Sequence, residues 1–331
     1  MDDPRFLPSG FADMGRLLSS SAPFVFAIGG RGIGKSYGAS AWLRENASGR
    51  FCWVRRREKE LSSMKAGPPF ANVPSFAGCV WKGTKEATYV RDDAGEMVCP
   101  VLPLATSGNV TGLDLSFVDY LVLDEFIPKP GSVPIDGEFE IWSALQETIN
   151  RNRELEGRPA LKMVHISNSE TLNSEILIRL ELVPVLVGMR AEGITVWMSP
   201  DGLVEIWDYS GSPISEAKRT TALYRLIAGT EYARLALDNE FSRDDFSDVK
   251  RRPLREYKPL FSIDKRATVY IHKRRSELYV SRHRSGDVPD YPATLAGKRK
   301  LYQDIPYIRE ALAEKTFYES IECKYILESI L

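Results

Sequence analysis

Cysteine and histidine are scarce in this sequence. The four cysteines, Cys52, Cys79, Cys99 and Cys323, lie far apart and form no C-x-x-C pair. The three histidines are equally scattered, so the chain lacks the clustered ligands of a zinc site and the cysteine pattern of a disulfide framework. We therefore expect ordinary buried thiols in a reducing cytosol, and histidines that are core or surface residues.

Long apolar runs are also absent. No segment approaches the ~18 apolar residues that a membrane-spanning helix needs. The most apolar stretch, Ile176 to Val187, is interrupted by Arg179, Glu181 and Pro184. The N-terminus MDDPRFLPSGF is acidic and contains prolines, unlike a signal peptide. These features predict a soluble intracellular protein with no membrane partner.

The length and the charge distribution indicate more than one domain. A chain of 331 residues exceeds the roughly 250–300 at which a single core stops growing. The net charge is only -1, but Phe241 to Lys300 contains 16 Lys and Arg against 8 Asp and Glu. This local excess of positive charge predicts a basic C-terminal module with a polyanionic partner. We expect an α/β domain over residues 1–210, a helical linker over 211–250 and the basic domain over 251–331.

Short apolar runs alternate with helix-length segments over the first two thirds of the chain, as in an α/β fold. Three pairs of strands flank tight-turn sequences and are expected to form hairpins. The predicted single strands are Phe24–Ile28, Phe51–Val54, Val118–Leu123 and Leu161–Ser167. The predicted hairpins are Ala87–Val90 with Met97–Leu104, Ile194–Met198 with Leu203–Tyr209, and Thr268–His272 with Leu278–His283. The predicted helices are Lys35–Glu45, Ile135–Arg153, Ile214–Leu237 and the stretch from Ile308 onward.

A glycine-rich segment after the first strand fits the phosphate-binding pattern G-x-x-x-x-G-K-[ST] in full. Its glycines let backbone N–H groups converge on phosphates, and the helix that follows adds its positive dipole end. Lys35 is expected to neutralise the β- and γ-phosphates, and Ser36 to hold Mg²⁺. Arg31 could reach a neighbour's nucleotide or DNA, or be an exposed loop charge. The predicted nucleotide-binding residues are Gly29, Gly30, Arg31, Gly32, Ile33, Gly34, Lys35 and Ser36.

Two carboxylates end the apolar strand Tyr120-Leu121-Val122-Leu123. In open α/β sheets this end of a strand faces the ligand crevice. Asp124 is placed to hold Mg²⁺, and Glu125 to polarise the attacking water as a general base. The sequence contains no N/T-K-x-D guanine signature, so ATP is favoured over GTP. The pattern predicts a P-loop NTPase of the additional-strand, catalytic-Glu class.

Polar residues after these acids are further candidates. If the predicted helix continues through Arg151 and Arg153, the two lie about 200° apart around its axis and cannot both face one phosphate. One could act in trans as an arginine finger, or both could belong to a solvated helix end. Asn168, at the end of the strand Leu161–Ser167, is a candidate sensor of the γ-phosphate, although a polar strand end is ordinary.

Together these motifs resemble the DNA encapsidation proteins of small short-tailed phages, packaging ATPases related to large terminase subunits. The resemblance covers Gly29 to Phe241. It rests on Gly29–Ser36, Val54-Arg55-Arg56 with Glu60-Leu61, Asp124-Glu125-Phe126-Ile127, Arg151-Asn152-Arg153-Glu154, Ser167-Asn168, Gly229-Thr230-Glu231-Tyr232 and Leu237-Asp238-Asn239-Glu240-Phe241.

The resemblance implies a ring of subunits, expected to be a pentamer, docked on the portal and prohead RNA of an empty capsid in the host cytoplasm. Each subunit is expected to pull double-stranded DNA inward using ATP. The resemblance also implies that Arg151 is the trans finger. In one respect the chain departs from the family: no Lys or Arg lies between Arg91 and Lys129, where a second trans-acting cation is expected. Arg31 and Arg55 are the candidates to substitute for it.

The same resemblance implies that the C-terminal domain is an α+β, RNase H-like nuclease that has lost its catalysis. A two-metal nuclease needs carboxylates on its central strands, and the predicted strands here carry none beyond Glu277 at a turn. The candidate nucleic-acid-binding residues are Lys273, Arg274 and Arg275 at the hairpin tip, and Arg55 and Arg56 after the second strand. Arg55 and Arg56 could equally start a solvated helix.

Three alternatives stay open at this point. The first is a terminase-like ATPase that also cleaves DNA. The second is another P-loop motor, such as a helicase or virion-assembly ATPase. The third is a nucleic-acid-binding scaffold with a structural P-loop.

Overall fold

A computed structural model describes residues 3–83, 88–109, 114–129, 132, 135–168, 171–230, 233 and 246–331. The chain divides into two compact units. The first contains residues 1–180 and 185–242, and the second contains residues 181–184 and 243–331. The main division therefore falls inside the segment 211–250 that the sequence predicts as a linker. Helix is described there in two short pieces and at Ala233, and the rest of the predicted helix beyond residue 230 lies outside the described residues, as do Glu231-Tyr232 and Leu237–Phe241.

The larger unit is built on one mixed sheet. Its strands are β1 Phe24–Gly29, β2 Phe51–Arg55, β3 Val80–Gly83, β4 Thr88–Arg91, β5 Met97–Pro103, β6 Tyr120–Asp124, β7 Lys162–Asn168, β8 Val196–Met198 and β9 Val204–Tyr209. The helices up to residue 226 are α1 Met14–Leu18, α2 Lys35–Asn46, α3 Glu58–Met64, α4 Glu138–Asn150, α5 Glu175–Arg179, α6 Leu182–Ala191, α7 Pro213–Lys218 and α8 Ala222–Leu226.

The strand order in this sheet is β3-β4-β5-β2-β6-β7-β1-β9-β8. The six central strands, β5 to β9 in that order, are parallel, and the hairpins β4–β5, β3–β4 and β8–β9 add antiparallel strands at the edges. Strand β7 lies between β1 and β6. This is the additional strand of the predicted class, between the glycine-rich loop and the acid pair.

The central strands are apolar because both of their faces are buried. In β1, Val25 and Ala27 belong to the main core cluster, while Phe26 points to the opposite face and stacks on His165 at 4.1 Å. The predicted strands and the two hairpins of this unit are confirmed, although Ala87 lies outside the described residues. Helix α4 is shorter than predicted, since it starts at Glu138 and ends at Asn150.

The second unit has its own five-stranded sheet, of order β13-β10-β11-β12-β14. Its elements are β10 Tyr257–Ile263, β11 Ala267–His272, β12 Leu278–Ser281, β13 Asp290–Tyr291, α9 Leu295–Asp304, α10 Ile308–Glu314, β14 Thr316–Tyr318 and α11 Ile321–Ile330. The predicted α+β character and the β11–β12 hairpin are confirmed. The prediction of one continuous helix from Ile308 is wrong, because β14 pairs with β12 and divides it. The RNase H-like ancestry stays a prediction.

The four cysteines are free and buried, as expected. Burial raises the pKa of the Cys99 thiol well above its ordinary value, so this thiol is protonated at neutral pH. No helix in the described part of the chain is long and apolar enough to cross a membrane.

Candidate active site

The carboxyl ends of four neighbouring parallel strands bring the candidate residues together. Strand pairing places Gly29 of β1 opposite Asn168 of β7, and Arg55 of β2 opposite Asp124 of β6. Parallel strands end at one edge of the sheet, where α/β proteins bind ligands. The residues that are separated in sequence therefore form one site.

The glycine-rich loop joins β1 directly to α2. Gly34 is the residue before the helix and has φ 89°, a left-handed conformation that favours glycine. A Cβ on Gly29 would lie 2.5 Å from the Cβ of Tyr209, so only glycine fits this close approach. Because Gly34 has no capping side chain, the N–H groups at the start of α2 are left for an anion.

The ammonium of Lys35 is folded back onto the loop. Its Nζ donates to the carbonyl oxygens of Gly29 at 2.9 Å and Gly30 at 2.6 Å, and lies 3.4 Å from Oδ1 of Asn168. The side chain is buried, and this burial lowers the pKa of Lys35 to about 7 against the opposing pull of Asp124. A phosphate at the loop would supply a negative counter-charge that favours the protonated form of this ammonium.

Ser36 and Asp124 form the pair expected of a magnesium site. The Ser36 hydroxyl donates to Oδ1 of Asp124 at 2.8 Å. Asp124 is only 4% exposed, and burial raises its pKa, although the neighbouring Arg55 guanidinium opposes this shift. A hydroxyl and a carboxylate oxygen at this spacing are ligands that Mg²⁺ prefers, so these residues fit the ion.

Arg55 bridges the two acids. Its Nη1 contacts Oδ2 of Asp124 and its Nη2 contacts Oε2 of Glu125, each at 2.7 Å. Lys129 lies 3.4 Å from the same Glu125 oxygen. Arg55 therefore faces its own subunit's acid pair, and this position does not agree with the sequence-based predictions that it binds nucleic acid or acts in trans.

Glu125 has a backbone conformation that positions it apart from the strand. Its φ of 60° lies in the left-handed region, and its N–H donates to the carbonyl of Ile166 at 2.7 Å. Non-glycine residues in this region are strained and concentrate at functional sites. The turn directs Glu125 away from the line of β6, while Asp124 stays in the strand.

Two cavities adjoin these groups. The larger, about 210 Å³, is lined by the glycine-rich loop, Lys35, Ser36, both acids and Asn168. The smaller, about 20 Å³, lies beside Glu125, Ser167 and Asn168 and is large enough for one water molecule. Glu125 therefore lines both the phosphate-sized cavity and the water-sized one.

The two arginines after α4 have different surroundings. Helix α4 ends at Asn150, so the helical separation expected for Arg151 and Arg153 does not apply. Arg153 is 4% exposed and donates to the carbonyl of Val118 and to Oδ1 of Asp119. Arg151 has φ 43° and its side chain is exposed. Of the two, Arg151 is the one whose side chain is exposed to another molecule, although its Nε donates to the carbonyl oxygen of Thr148 at 3.2 Å.

Arg151 lies at the opposite end of the sheet from its own glycine-rich loop. The anchor of its turn, Asp119, precedes β6, whereas Asp124 ends this five-residue strand. At about 3.3 Å per residue the strand separates the two ends by roughly 15 Å. The turn that carries Arg151 therefore lies toward the end of β6 that is remote from its own acid pair.

The other predicted cations are divided between interior and surface. Arg56 is 2% exposed and makes a bidentate pair with Glu138 at 2.7 and 2.8 Å. This buried position does not agree with the prediction that Arg56 binds nucleic acid. Lys273, Arg274 and Arg275 are exposed at the tip of the β11–β12 hairpin, as a nucleic-acid contact requires. Arg31 is exposed on the glycine-rich loop.

Sequence reasoning missed two lysines near the site, Lys129 and Lys218. Lys129 carries a local signal, since it follows Glu125 by four residues. Lys218 carries none, because it reaches the loop from 187 residues away, where its Nζ lies 2.5 Å from the carbonyl oxygen of Arg31. The part of the loop before β6 that could hold a further trans group, Val110 to Gly112, lies outside the described residues.

Comparison with known proteins agrees with this geometry. Residues 8–288 match the family model of the Podovirus DNA encapsidation protein (Gp16). The chain belongs to this family. It is 29% identical over 252 residues to the DNA packaging protein of Bacillus phage phi29, covering 75% of this chain and 70% of that protein. It is 28% identical over 275 residues to the DNA packaging protein of Bacillus phage B103, covering 80% and 79%.

Solved structures show the same fold. The Phi-28 gp11 DNA packaging motor aligns with a TM-score of 0.61 at 17% identity, over 97% of this chain and 96% of that one. The bacteriophage Phi-29 genome packaging motor assembly aligns with a TM-score of 0.57 at 20% identity, over 97% and 99%. These findings confirm the predicted fold, the resemblance read from the motifs and the predicted role in DNA packaging.

Proposed function

We propose that this member of the encapsidation family is an ATP-driven motor subunit that translocates double-stranded viral DNA into a preformed capsid. One observation carries the proposal: the glycine-rich loop, the Ser36–Asp124 pair, Glu125 and Asn168 line a single cavity at the carboxyl edge of the sheet. Phosphate-binding N–H groups, magnesium ligands and a carboxylate base are the groups that phosphoryl transfer needs.

Nucleotide binding uses the loop, Lys35 and the Ser36–Asp124 pair. The loop N–H groups bind the phosphates, and Lys35 exchanges its carbonyl contacts for phosphate oxygens. Ser36 and Asp124 would hold Mg²⁺, which neutralises charge on the β- and γ-phosphates when bound. With Asp124 bound to Mg²⁺, Arg55 would neutralise Glu125 alone.

Hydrolysis uses Glu125 as the general base. The water-sized cavity beside Glu125 is also lined by Asn168. Glu125 accepts a proton from a water held there, and Asn168 donates a hydrogen bond that orients it or the γ-phosphate. A base must lie within hydrogen-bond reach of the proton that it removes, and the left-handed turn at Glu125 provides this position.

Arg151 completes the site of a neighbouring subunit. It is exposed on a turn fixed by Arg153, whose partner Asp119 lies about 15 Å from Asp124 by strand length. An arginine supplied in trans stabilises charge on the γ-phosphate in the transition state. Such head-to-tail contacts close into rings, and we infer a pentamer working at the procapsid in the host cytoplasm.

The nucleic-acid partners are recognised through phosphates. The relatives are named DNA packaging proteins, and one structural relative is a motor assembly. The exposed tip Lys273-Arg274-Arg275 suits a phosphate backbone, either of DNA or of prohead RNA at the portal. Binding through phosphates is independent of base sequence and weakens with salt, as a genome motor requires.

The subunit-sharing claim is tested by mixing two inactive variants. Lys35→Ala and Arg151→Ala should each abolish DNA-stimulated ATP hydrolysis by the assembled motor. In an equal random mixture, about one quarter of the interfaces pair an intact Lys35 with an intact Arg151, so about one quarter of the turnover should return. If no mixture recovers turnover, Arg151 does not act in trans; Arg16→Ala, an exposed charge on α1, is the control that should keep full activity.

A further inference from the structure

Helix α7 brings a second lysine to the glycine-rich loop. Lys218 is the last residue of α7, and its Nζ donates to the carbonyl oxygen of Arg31 at 2.5 Å. A Cβ built on Gly32 would lie 2.6 Å from the same ammonium. Lys218 therefore lies against the middle of the loop, while Lys35 contacts the carbonyls of the two residues before Arg31.

The direction of Lys218 is fixed by the start of its helix. Ser212 is fully buried; its Oγ caps α7 by accepting from the N–H of Ile214, and it also lies 3.3 Å from the carbonyl oxygen of Gly10. Pro213 occupies the first turn, where its fixed φ suits a helix. Ser215, one turn before Lys218, is also buried. A short helix held at these points delivers the lysine to the loop, unlike a freely rotating surface side chain.

The charge around Lys218 is unbalanced. Within the described residues it forms no ion pair, and a backbone carbonyl is its hydrogen-bond partner. Lys35 lies close enough that the charge of Lys218 lowers the pKa of Lys35. Two ammonium groups against one loop repel each other, and an anion between them removes this cost.

We propose that Lys218 is a second cationic ligand of the nucleotide's polyphosphate. When a nucleotide binds, the ammonium of Lys218 leaves the Arg31 carbonyl and contacts a phosphate oxygen. The inference rests on the nucleotide site proposed above. Lys218 follows β9 in the chain and would join the nucleotide ligands of the glycine-rich loop. The contact between α7 and the loop would then change when a nucleotide binds.

The test measures ATP and ADP affinity of the full-length protein by titration calorimetry. A charge-assisted hydrogen bond is worth on the order of a 10-fold to 100-fold change in affinity. Lys218→Met should therefore bind ATP about 10-fold more weakly or worse. Lys218→Arg, which keeps the charge, should stay within about 3-fold of the wild type. Arg225→Met removes a positive charge from an exposed position on α8 and should leave the affinity unchanged.

The outcomes separate this inference from the function on which it rests. Weakening for ATP alone assigns Lys218 to the γ-phosphate, and equal weakening for ADP assigns it to the β-phosphate. If Lys218→Met binds ATP with wild-type affinity, the inference is overturned. If, in addition, the melting temperature of the nucleotide-free variant falls, Lys218 only stabilises the glycine-rich loop. Absence of ATP binding by the wild type overturns the proposed nucleotide site itself.

Discussion

Nucleotide binding should take up a proton at Lys35. Burial lowers the pKa of this ammonium to about 7 in the nucleotide-free protein. Asp124, Asp208 and Glu125 raise the pKa, and Lys218 lowers it. A bound phosphate adds negative charge beside the ammonium and favours the protonated form. The complex therefore holds a proton that the free protein has largely lost above pH 7.

The size of the effect follows from the shifted pKa. At pH 8 about nine tenths of the free protein carries a neutral Lys35, so binding should take up about 0.9 proton. At pH 6 the uptake should fall to about 0.1 proton. The apparent affinity should weaken about 15-fold between pH 7 and pH 8.5, because a growing share of the binding free energy is spent on protonation.

Calorimetric titration in two buffers of different ionisation enthalpy measures this uptake directly. Two variants serve as controls. Asp124→Asn removes the neighbouring buried carboxyl group, whose pKa is raised, and the uptake should persist. Lys35→Arg carries a guanidinium that stays charged, and the uptake should vanish. A wild-type affinity that is flat from pH 7 to pH 8.5, with no proton uptake at pH 8, would refute the reasoning.

Three further predictions concern buried groups. Arg55→Gln leaves Asp124 without its counter-charge and should destabilise the nucleotide-free protein by about 3 kcal/mol in urea unfolding, part of which Mg²⁺ restores; an unchanged midpoint contradicts the assigned contact. Arg56→Met leaves the Glu138 carboxylate buried without a partner and should lower the free energy of unfolding by about 3–5 kcal/mol. Adding Glu138→Leu should recover most of this loss. Equal losses in the single and double variants would contradict the ion pair. Burial lowers the pKa of His165 to about 4, whereas an unfolded histidine titrates near 6.5. The free energy of unfolding should therefore fall by about 3 kcal/mol as the pH falls from 6.5 to 4. His165→Phe should remove that loss, and an unaltered acid slope in this variant would show that another group titrates.

The local parts of the site could be predicted from sequence because each follows from a short pattern. The glycine-rich loop needs a strand before it and a helix after it, and both are visible as an apolar run and a helix-length segment. The strand that ends in Asp124 and Glu125 is apolar throughout because it is buried on both faces. Once parallel strands are assumed, their polar carboxyl ends must meet at one edge.

The partners of the arginines could not be predicted in this way. Arg55 and Arg56 lie in a run of three arginines that reads as surface charge. The acids that they contact, Asp124 and Glu138, are 69 and 82 residues away. Strand register sets the first contact and helix packing the second, and neither leaves a local pattern in the sequence.

The C-terminal unit was predicted less completely. Helix α9, Leu295–Asp304, has a polar sequence without a long apolar stripe, although Thr294 caps it by accepting from the N–H of Gly297. Strand β14 has only three residues, so its β-branched and aromatic side chains give a weak signal between two helices. Both elements depend on packing within the sheet of this unit.

The most direct test of the account is the behaviour of Glu125→Gln with MgATP. The variant keeps the loop, Lys35 and the Ser36–Asp124 pair, so it should bind ATP within a few-fold of the wild type. Without the carboxylate base, single-turnover hydrolysis should slow by at least ~100-fold. Hydrolysis at the wild-type rate in this variant would contradict the assignment of Glu125 as the base.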